Sequence, residues 1–268
     1  MKIKSGSPTS NNTKEVNICG VRIDNYSLNE SIEEIINHIL FNQKPKYVVT
    51  PNAQHVILLQ NDRDFQEVYQ NAFLSVPDGV PLLWAARLLK TPLSGRVNGT
   101  DLFEKLCKVA AEQDLKVFLL GGSPGVAEKT KITLQKHNPQ LKVVGTYCPF
   151  YGFESDPIEL ARINHTIQTA NPDILFVALG SPKQELWIYN NYKSLGVPIS
   201  LGIGASFELV SGVVPRAPKL MQRIGMEWLF RLVMEPRRLW KRYVICNTLF
   251  VWLILKECLK IYSISKKY

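Results

Sequence analysis

Asp78 lies in Val76-Pro77-Asp78-Gly79-Val80, between a strand-like apolar run and a helical pattern. A carboxylate fixed there can take the proton from an attacking hydroxyl, the general-base step of group transfer to an alcohol. Aspartate is equally suited to cap the helix that follows. Thr50 and Asn52, in Thr50-Pro51-Asn52, carry donors and acceptors that suit sugar hydroxyls or an acetamido group, with turn and cap chemistry as the alternative. Arg96 opens a helix from the polar loop Gly95-Arg96-Val97-Asn98-Gly99 and suits a sugar or phosphate contact or a plain surface position. Gln184 and Glu185 follow Gly180-Ser181-Pro182-Lys183. Exposed helix-start amides there favour anions, the glutamine adds a neutral polar contact, and Glu185 equally complements the helix dipole.

Gly202-Ile203-Gly204-Ala205-Ser206-Phe207-Glu208 is half of a dinucleotide fingerprint, with Phe207 in place of the third glycine or alanine. No acidic residue ends a second strand about twenty positions on, which argues against a nicotinamide enzyme. Glu208 instead suits the hydroxyls of a ribose. Asp62-Arg63-Asp64 spells a DxD, but it falls between helical stretches rather than after a strand and is discounted as a metal site. The four histidines are scattered, and the five cysteines are widely spaced with no CxxC, so they read as reduced thiols serving packing.

Short β-branched runs alternate with longer helical patterns, the signature of an α/β fold with a Rossmann-like, mostly parallel sheet flanked by helices. Strands are expected at Lys46–Thr50, Phe73–Val76, Lys116–Leu120, Lys142–Tyr147, Asp173–Leu179 and Pro198–Leu201. An early strand at Val16–Ile23 and a helix at Asn29–Leu40 precede them. Five of the loops that leave these strands combine small residues with a few polar groups, at the edge where open α/β sheets bind ligands.

Residues 1–213 hold 20 Lys/Arg against 20 Asp/Glu, and residues 214–268 hold 12 against 3, so the net charge of +9 resides in the tail. The tail is also rich in Trp, Phe, Leu and Ile. A basic amphipathic helical appendage at 214–268, beside a catalytic domain at 1–213, therefore points to an anionic membrane surface. Its apolar run Tyr243 to Leu255 is shorter than the ~20 residues of a span. Two helical stretches, Lys219–Met234 and Pro236–Tyr262, are expected, divided at Glu235-Pro236. In the first, Met226, Leu229, Phe230 and Val233 form a stripe that needs a partner. On a continuous helix Arg231, Arg238 and Arg242 would fall within about 40° of one face, an alignment that a break at Pro236 undoes.

Together, Thr50-Pro51-Asn52, Pro77-Asp78-Gly79, Gly95-Arg96-Val97-Asn98-Gly99, Gly121-Gly122, Gly180-Ser181-Pro182-Lys183-Gln184-Glu185, Arg216-Ala217-Pro218 and Glu227-Trp228-Leu229-Phe230-Arg231 resemble the WecG/TagA/CpsF glycosyltransferases. The likeness runs to about Tyr243. The resemblance implies inverting, metal-independent transfer of a hexose-type sugar, often N-acetylmannosamine, from a UDP donor to a polyprenyl-diphosphate-linked saccharide at the cytoplasmic membrane face. No cofactor or metal is implied. It implies Asp78 as the base, with Thr50, Asn52, Arg96 and Gln184 in the sugar pocket and Glu208 near the ribose. The appendage would fold over the site and bring Arg231 and Arg238 to the diphosphate.

Two other classes remain: a membrane-recruited regulatory or scaffold protein without catalysis, and, within enzymes, an NAD-dependent reductase. No helix-turn-helix, zinc module or RNA-binding signature accompanies the basic tail, so nucleic acid is not an expected partner. An exposed apolar tail favours homo-oligomers away from membranes.

Overall fold

The computed structural model describes residues 14–265. A hairpin of β1 (Glu15–Ile18) and β2 (Val21–Asp24) precedes α1 (Leu28–Phe41). Then come β3 (Lys46–Val49), α2 (Ala53–Leu58), α3 (Arg63–Gln70), β4 (Leu74–Ser75), α4 (Val80–Leu88), α5 (Gly99–Glu112) and β5 (Lys116–Gly121). These are followed by α6 (Val126–His137), β6 (Lys142–Tyr147), α7 (Pro157–Ala170), β7 (Ile174–Ala178), α8 (Lys183–Leu195), β8 (Ile199–Gly202) and α9 (Ser206–Val210). The appendage consists of α10 (Lys219–Arg223), α11 (Glu227–Met234) and α12 (Pro236–Ser265).

Six strands form one parallel sheet in the order β4-β3-β8-β7-β5-β6. Helices cover both faces, and β7 is buried at every residue, as a strand between two helical layers must be. The pleat divides β5 between two cores: Phe118 and Leu120 join α2, α4 and α8, whereas Val117 and Leu119 join α1, α5, α6 and α9. The chain leaves β3 toward the first core, through Ala53 and Val56, and leaves the adjacent β8 toward the second, through Phe207. Neighbouring strands whose exits diverge to opposite faces open a crevice between them, and the site lies there.

The early strand expected at Val16–Ile23 is instead a separate two-stranded hairpin. Cys19 and Gly20 both take positive φ at its tip, the backbone of a tight primed turn, and Asn17 Oδ1 accepts from Gly20 N at 2.8 Å. The hairpin braces the short β4. Asp24 Oδ2 accepts from Ser75 N, Ser75 Oγ donates to Arg22 O, and Arg22 donates to Ala72 O, each at 2.7 Å. The Asp78 loop therefore leaves a strand held on both sides. The DxD segment starts α3, where Asp62 accepts from Phe65 N as its N-cap.

The appendage departs from expectation in its first half, which is two helices rather than one. Gly225, at φ +78, turns the chain between α10 and α11. The break before Pro236 is present, with Glu235 at φ −129, ψ 57. Arg231 therefore stands on a different helix from Arg238 and Arg242, and the single-face alignment of the three does not form. The α11 stripe also does not bury: Val233 is 71% exposed, while the buried residue of the helix is Glu227. By contrast, α12 packs on α2 and inserts Phe250 and Ile254 into the first core, each apolar side chain stabilising by about 1.5–3 kcal/mol. Among the described residues no helix is long and apolar enough to cross a membrane.

Gly121 ends β5 at φ +102, and a Cβ there would sit 2.5 Å from the carbonyl oxygen of Ala178 on β7. Backbone cannot yield as a side chain can. Gly121→Ala is expected to cost ~2–4 kcal/mol in urea unfolding, through overpacking and a disfavoured φ.

Candidate active site

The ends of β3, β4, β7 and β8 and the two helices α11 and α12 enclose a cleft of about 250 Å³. Thr50, Asn52, Asp78, Arg96, Gln184 and Arg231 all line it.

Asp78 is presented by backbone rather than by its own side chain. Val76 N donates to Val49 O, Asp78 N to Pro51 O at 2.8 Å, and Val97 N to Pro77 O at 2.8 Å, so the loop is clamped between the β3 exit and the Arg96 segment. The helix that follows is not capped by Asp78. Its N-cap is Gly79, at φ +101, with no side-chain capping bond. Asn98 approaches the carboxylate, with Nδ2 donating to Asp78 Oδ1 at 3.4 Å, while Asn98 Oδ1 caps α5 by accepting from Thr100 N and Asp101 N. Asn98 thus ties the acid to a rigid helix start, a role no local motif marked.

Asn52 does serve as a cap: its Oδ1 accepts from Gln54 N at 2.9 Å and His55 N at 3.2 Å. This orients its amide at the cleft wall beside Thr50, which is 7% exposed. Gln184 is buried, and both ends of its amide are engaged: Oε1 accepts from Gly204 N at 3.0 Å, and Nε2 donates to Glu185 Oε1 at 2.8 Å. It therefore fixes the turn after β8 as well as lining the cleft. Behind them Tyr69 Oη lies 2.7 Å from His55 Nδ1. Burial first, then the Glu185 and Asp78 charges, hold the Tyr69 phenol well above its ordinary pKa. The phenol stays neutral in a region that already carries two carboxylates.

The appendage closes the cleft from above. Trp228 and Arg231 on α11 line it at i, i+3 spacing, and Tyr243, Cys246 and Asn247 on α12 line it at i, i+3, i+4. Trp228 and Tyr243 meet with ring centroids 5.7 Å apart. Charge anchors this closure. Arg216 contacts Asp101 at 2.5 Å, Glu104 at 3.0 Å and Glu227 at 3.4 Å. Burial opposes the Arg216 charge, but Asp101, Glu227 and Glu104 more than offset it and raise its pKa. Arg96 reaches the same cluster, its guanidinium donating to Gln222 O at 3.4 Å and lying 4.0 Å from Glu227.

Several buried polar atoms on the cleft wall have no hydrogen-bond partner among the described residues: Arg231 Nε, Ser181 Oγ and Gln54 Oε1. Buried polar groups are ordinarily hydrogen-bonded, so orphans gathered around one cavity mark a place built for a polar ligand. Sequence could not single out Gln54 or Ser181, because burial without a partner is a three-dimensional property.

Glu208 does not line this cleft. It sits past β8, with Oε2 buried and unpartnered, and its charge, after burial, raises the pKa of the Cys148 thiol. Cys148 Sγ donates to Gly122 O at 3.2 Å, so Glu208, Cys148 and the Gly121-Gly122 turn form a neighbouring edge beyond β8. The Arg238 side chain, like that of Arg242, lies outside the described residues.

Over 233 residues the chain is 32% identical to the N-acetylglucosaminyldiphosphoundecaprenol N-acetyl-beta-D-mannosaminyltransferase of Bacillus subtilis (strain 168), covering 87% of this chain and 88% of that protein. It is 30% identical over 233 residues to the protein of the same name from Staphylococcus aureus (strain MW2), covering 86% and 87%. The profile of the glycosyl transferase WecG/TagA/CpsF family matches residues 16–263, from the β1 strand to the end of α12. A cleft at the switch point of a parallel sheet, roofed by a cationic appendage, is thus carried by a sequence that matches this family almost throughout, and the chain belongs to the WecG/TagA/CpsF family of glycosyltransferases.

Proposed function

We propose that the protein transfers N-acetylmannosamine, or a related hexose-type sugar, from a UDP donor to a polyprenyl-diphosphate-linked saccharide, with inversion and without a metal. The observation that carries this reading is the pairing, in one cleft, of a backbone-clamped carboxylate with an arginine whose Nε is buried and unpartnered. Asp78 takes the proton of the acceptor hydroxyl as that oxygen attacks the anomeric carbon from the face opposite the nucleotide. Arg231 meets the charge growing on the departing diphosphate, with Arg238 assigned to the same task. Thr50, Asn52 and Arg96 hold the sugar, and Gln184 holds the Gly202–Gly204 turn against it. Glu208 takes the ribose hydroxyls at the edge beside Cys148.

The relatives' acceptor, named as N-acetylglucosaminyldiphosphoundecaprenol, supports a lipid-borne acceptor here. Residues 1–213 act as the catalytic domain, and residues 214–268 as an appendage that rests on the cytoplasmic face of a bacterial membrane. The half-exposed stripe of α11 supports that placement.

Calorimetry of UDP with the full chain in EDTA, with NAD as control, tests the reading. UDP binding that survives EDTA and is unchanged by added magnesium agrees with it; NAD binding, or UDP binding that requires the metal, contradicts it. A second expectation locates the nucleotide. If Glu208 holds the ribose, UDP slows alkylation of Cys148 by about tenfold, read by mass spectrometry against Cys258 in the same molecule. Equal rates with and without UDP remove the nucleotide from that edge.

A further inference from the structure

A second apolar and cationic face, separate from α12, joins a helix of the catalytic body to the first helix of the appendage. Helix α4 buries Leu82, Ala85 and Ala86, with Leu89 buried at its C-cap, and turns Trp84 and Leu88 outward, 58% and 63% exposed. Arg87 and Lys90 are exposed beside them. Next to this helix stands α10, none of whose residues is buried, with Leu220 71% exposed, its C-cap Ile224 58% exposed, and Lys219 and Arg223 exposed beside them. The two elements abut: Gly225 packs so closely on Val80 that no Cβ fits, and Arg96 donates to Gln222 O.

The charge pattern says what covers this face. Residues 79–100 and 209–226 contain six arginines and lysines and no aspartate or glutamate. Arg96 and Arg216 are turned to Glu227, Asp101 and Glu104, and the four that the face exposes are Arg87, Lys90, Lys219 and Arg223. Apolar side chains beside four exposed cations match an anionic lipid surface, where the rings and aliphatic chains enter the interface and the cations meet headgroup phosphates. A symmetric pairing of two copies through the same patch would set these cations against one another, so a second copy fits poorly.

We propose that α4 of the catalytic body, together with α10 at the start of the appendage, is a lipid-docking face, seated on anionic bilayer independently of α12. Val80, Pro81 and Gly225 border both this face and the cleft. Seated there, the cleft mouth lies at the headgroups, so a diphosphate carried on a prenyl chain reaches Arg231 without leaving the interface. That last consequence rests on the proposed function; the docking itself does not.

The test is co-sedimentation of the full chain with vesicles of phosphatidylglycerol and phosphatidylcholine, and with phosphatidylcholine alone, in the absence of substrates. Trp84→Glu with Leu88→Glu keeps strong helix formers on an exposed face, and is expected to lower partitioning onto the anionic vesicles about tenfold or more. Arg87→Glu with Lys90→Glu keeps the apolar pair and is expected to lower partitioning and flatten its salt dependence. UDP affinity and turnover of a short-chain acceptor in detergent should stay unchanged in both. Wild-type partitioning by both variants would overturn the proposal. So would a wild-type mass in gel filtration above that of the variants with equal vesicle binding, which assigns the face to a second copy. A wild-type chain that binds vesicles through this face but neither binds UDP nor turns over acceptor leaves the docking intact and defeats only the proposed function.

Discussion

Asp78→Asn is expected to lower kcat on the order of 10²–10⁴-fold while UDP affinity stays within roughly twofold. The amide keeps the size of the carboxylate and the backbone clamp from Pro51 O and Val97 N, so the fold has no reason to change. What it loses is the ability to accept the acceptor's proton. A residue needed only for capping would show the opposite pattern, lost stability with preserved turnover, and Gly79 already occupies the capping position. Steady-state rates with the variant, paired with UDP calorimetry, separate the two. Asn98→Ala should move in the same direction by a smaller amount, because it removes the 3.4 Å contact to Asp78 Oδ1 and the cap of α5 together.

Arg231→Ala is expected to reduce kcat by about 10²–10³-fold, the usual cost of removing one donor that faces developing charge. Its guanidinium has no hydrogen bond or ion pair among the described residues, and its Nε is already buried, so that nitrogen is desolvated before substrate arrives. An interaction made chiefly with the departing diphosphate lowers kcat and kcat/KM alike. Lysine at 231 would restore charge but not the planar pair of donors, so Arg231→Lys should recover only part of the rate. Equal activity of wild type and Arg231→Ala would move the leaving-group charge to another residue.

Much of this was legible in sequence because it depends on local pattern. The β-branched runs located the strands of the sheet to within a residue or two, and their exits at Thr50, Asp78, Gly180 and Gly202 named the edge where the cleft opens. The hairpin differs from the single strand expected because the buried alternation of Val16 and Ile18 slips by one residue before Val21 and Ile23, and the slip is a turn, set by the positive φ of Cys19 and Gly20. In the appendage, helical periodicity ran straight through Gly225, and the need for close approach to Val80 was a tertiary fact. The same holds for the anchor of the roof. Arg216 gathers Asp101, Glu104 and Glu227 from segments more than a hundred residues apart in two of its three pairs, and no spacing rule joins them. Gln184 was legible as a polar residue at a helix start, but not as the side chain that holds Gly204 N.

Product formation is the direct test of the transfer. The full chain, in EDTA, would be given UDP-N-acetylmannosamine and a short-chain prenyl-diphosphate N-acetylglucosamine, and the lipid product read by mass spectrometry and its anomeric configuration by NMR. Wild type should add one N-acetylhexosamine in β-linkage, a product nearly absent with Asp78→Asn. An unmodified acceptor beside intact UDP binding would contradict the assigned sugar or acceptor, and equal product from Asp78→Asn would contradict the mechanism.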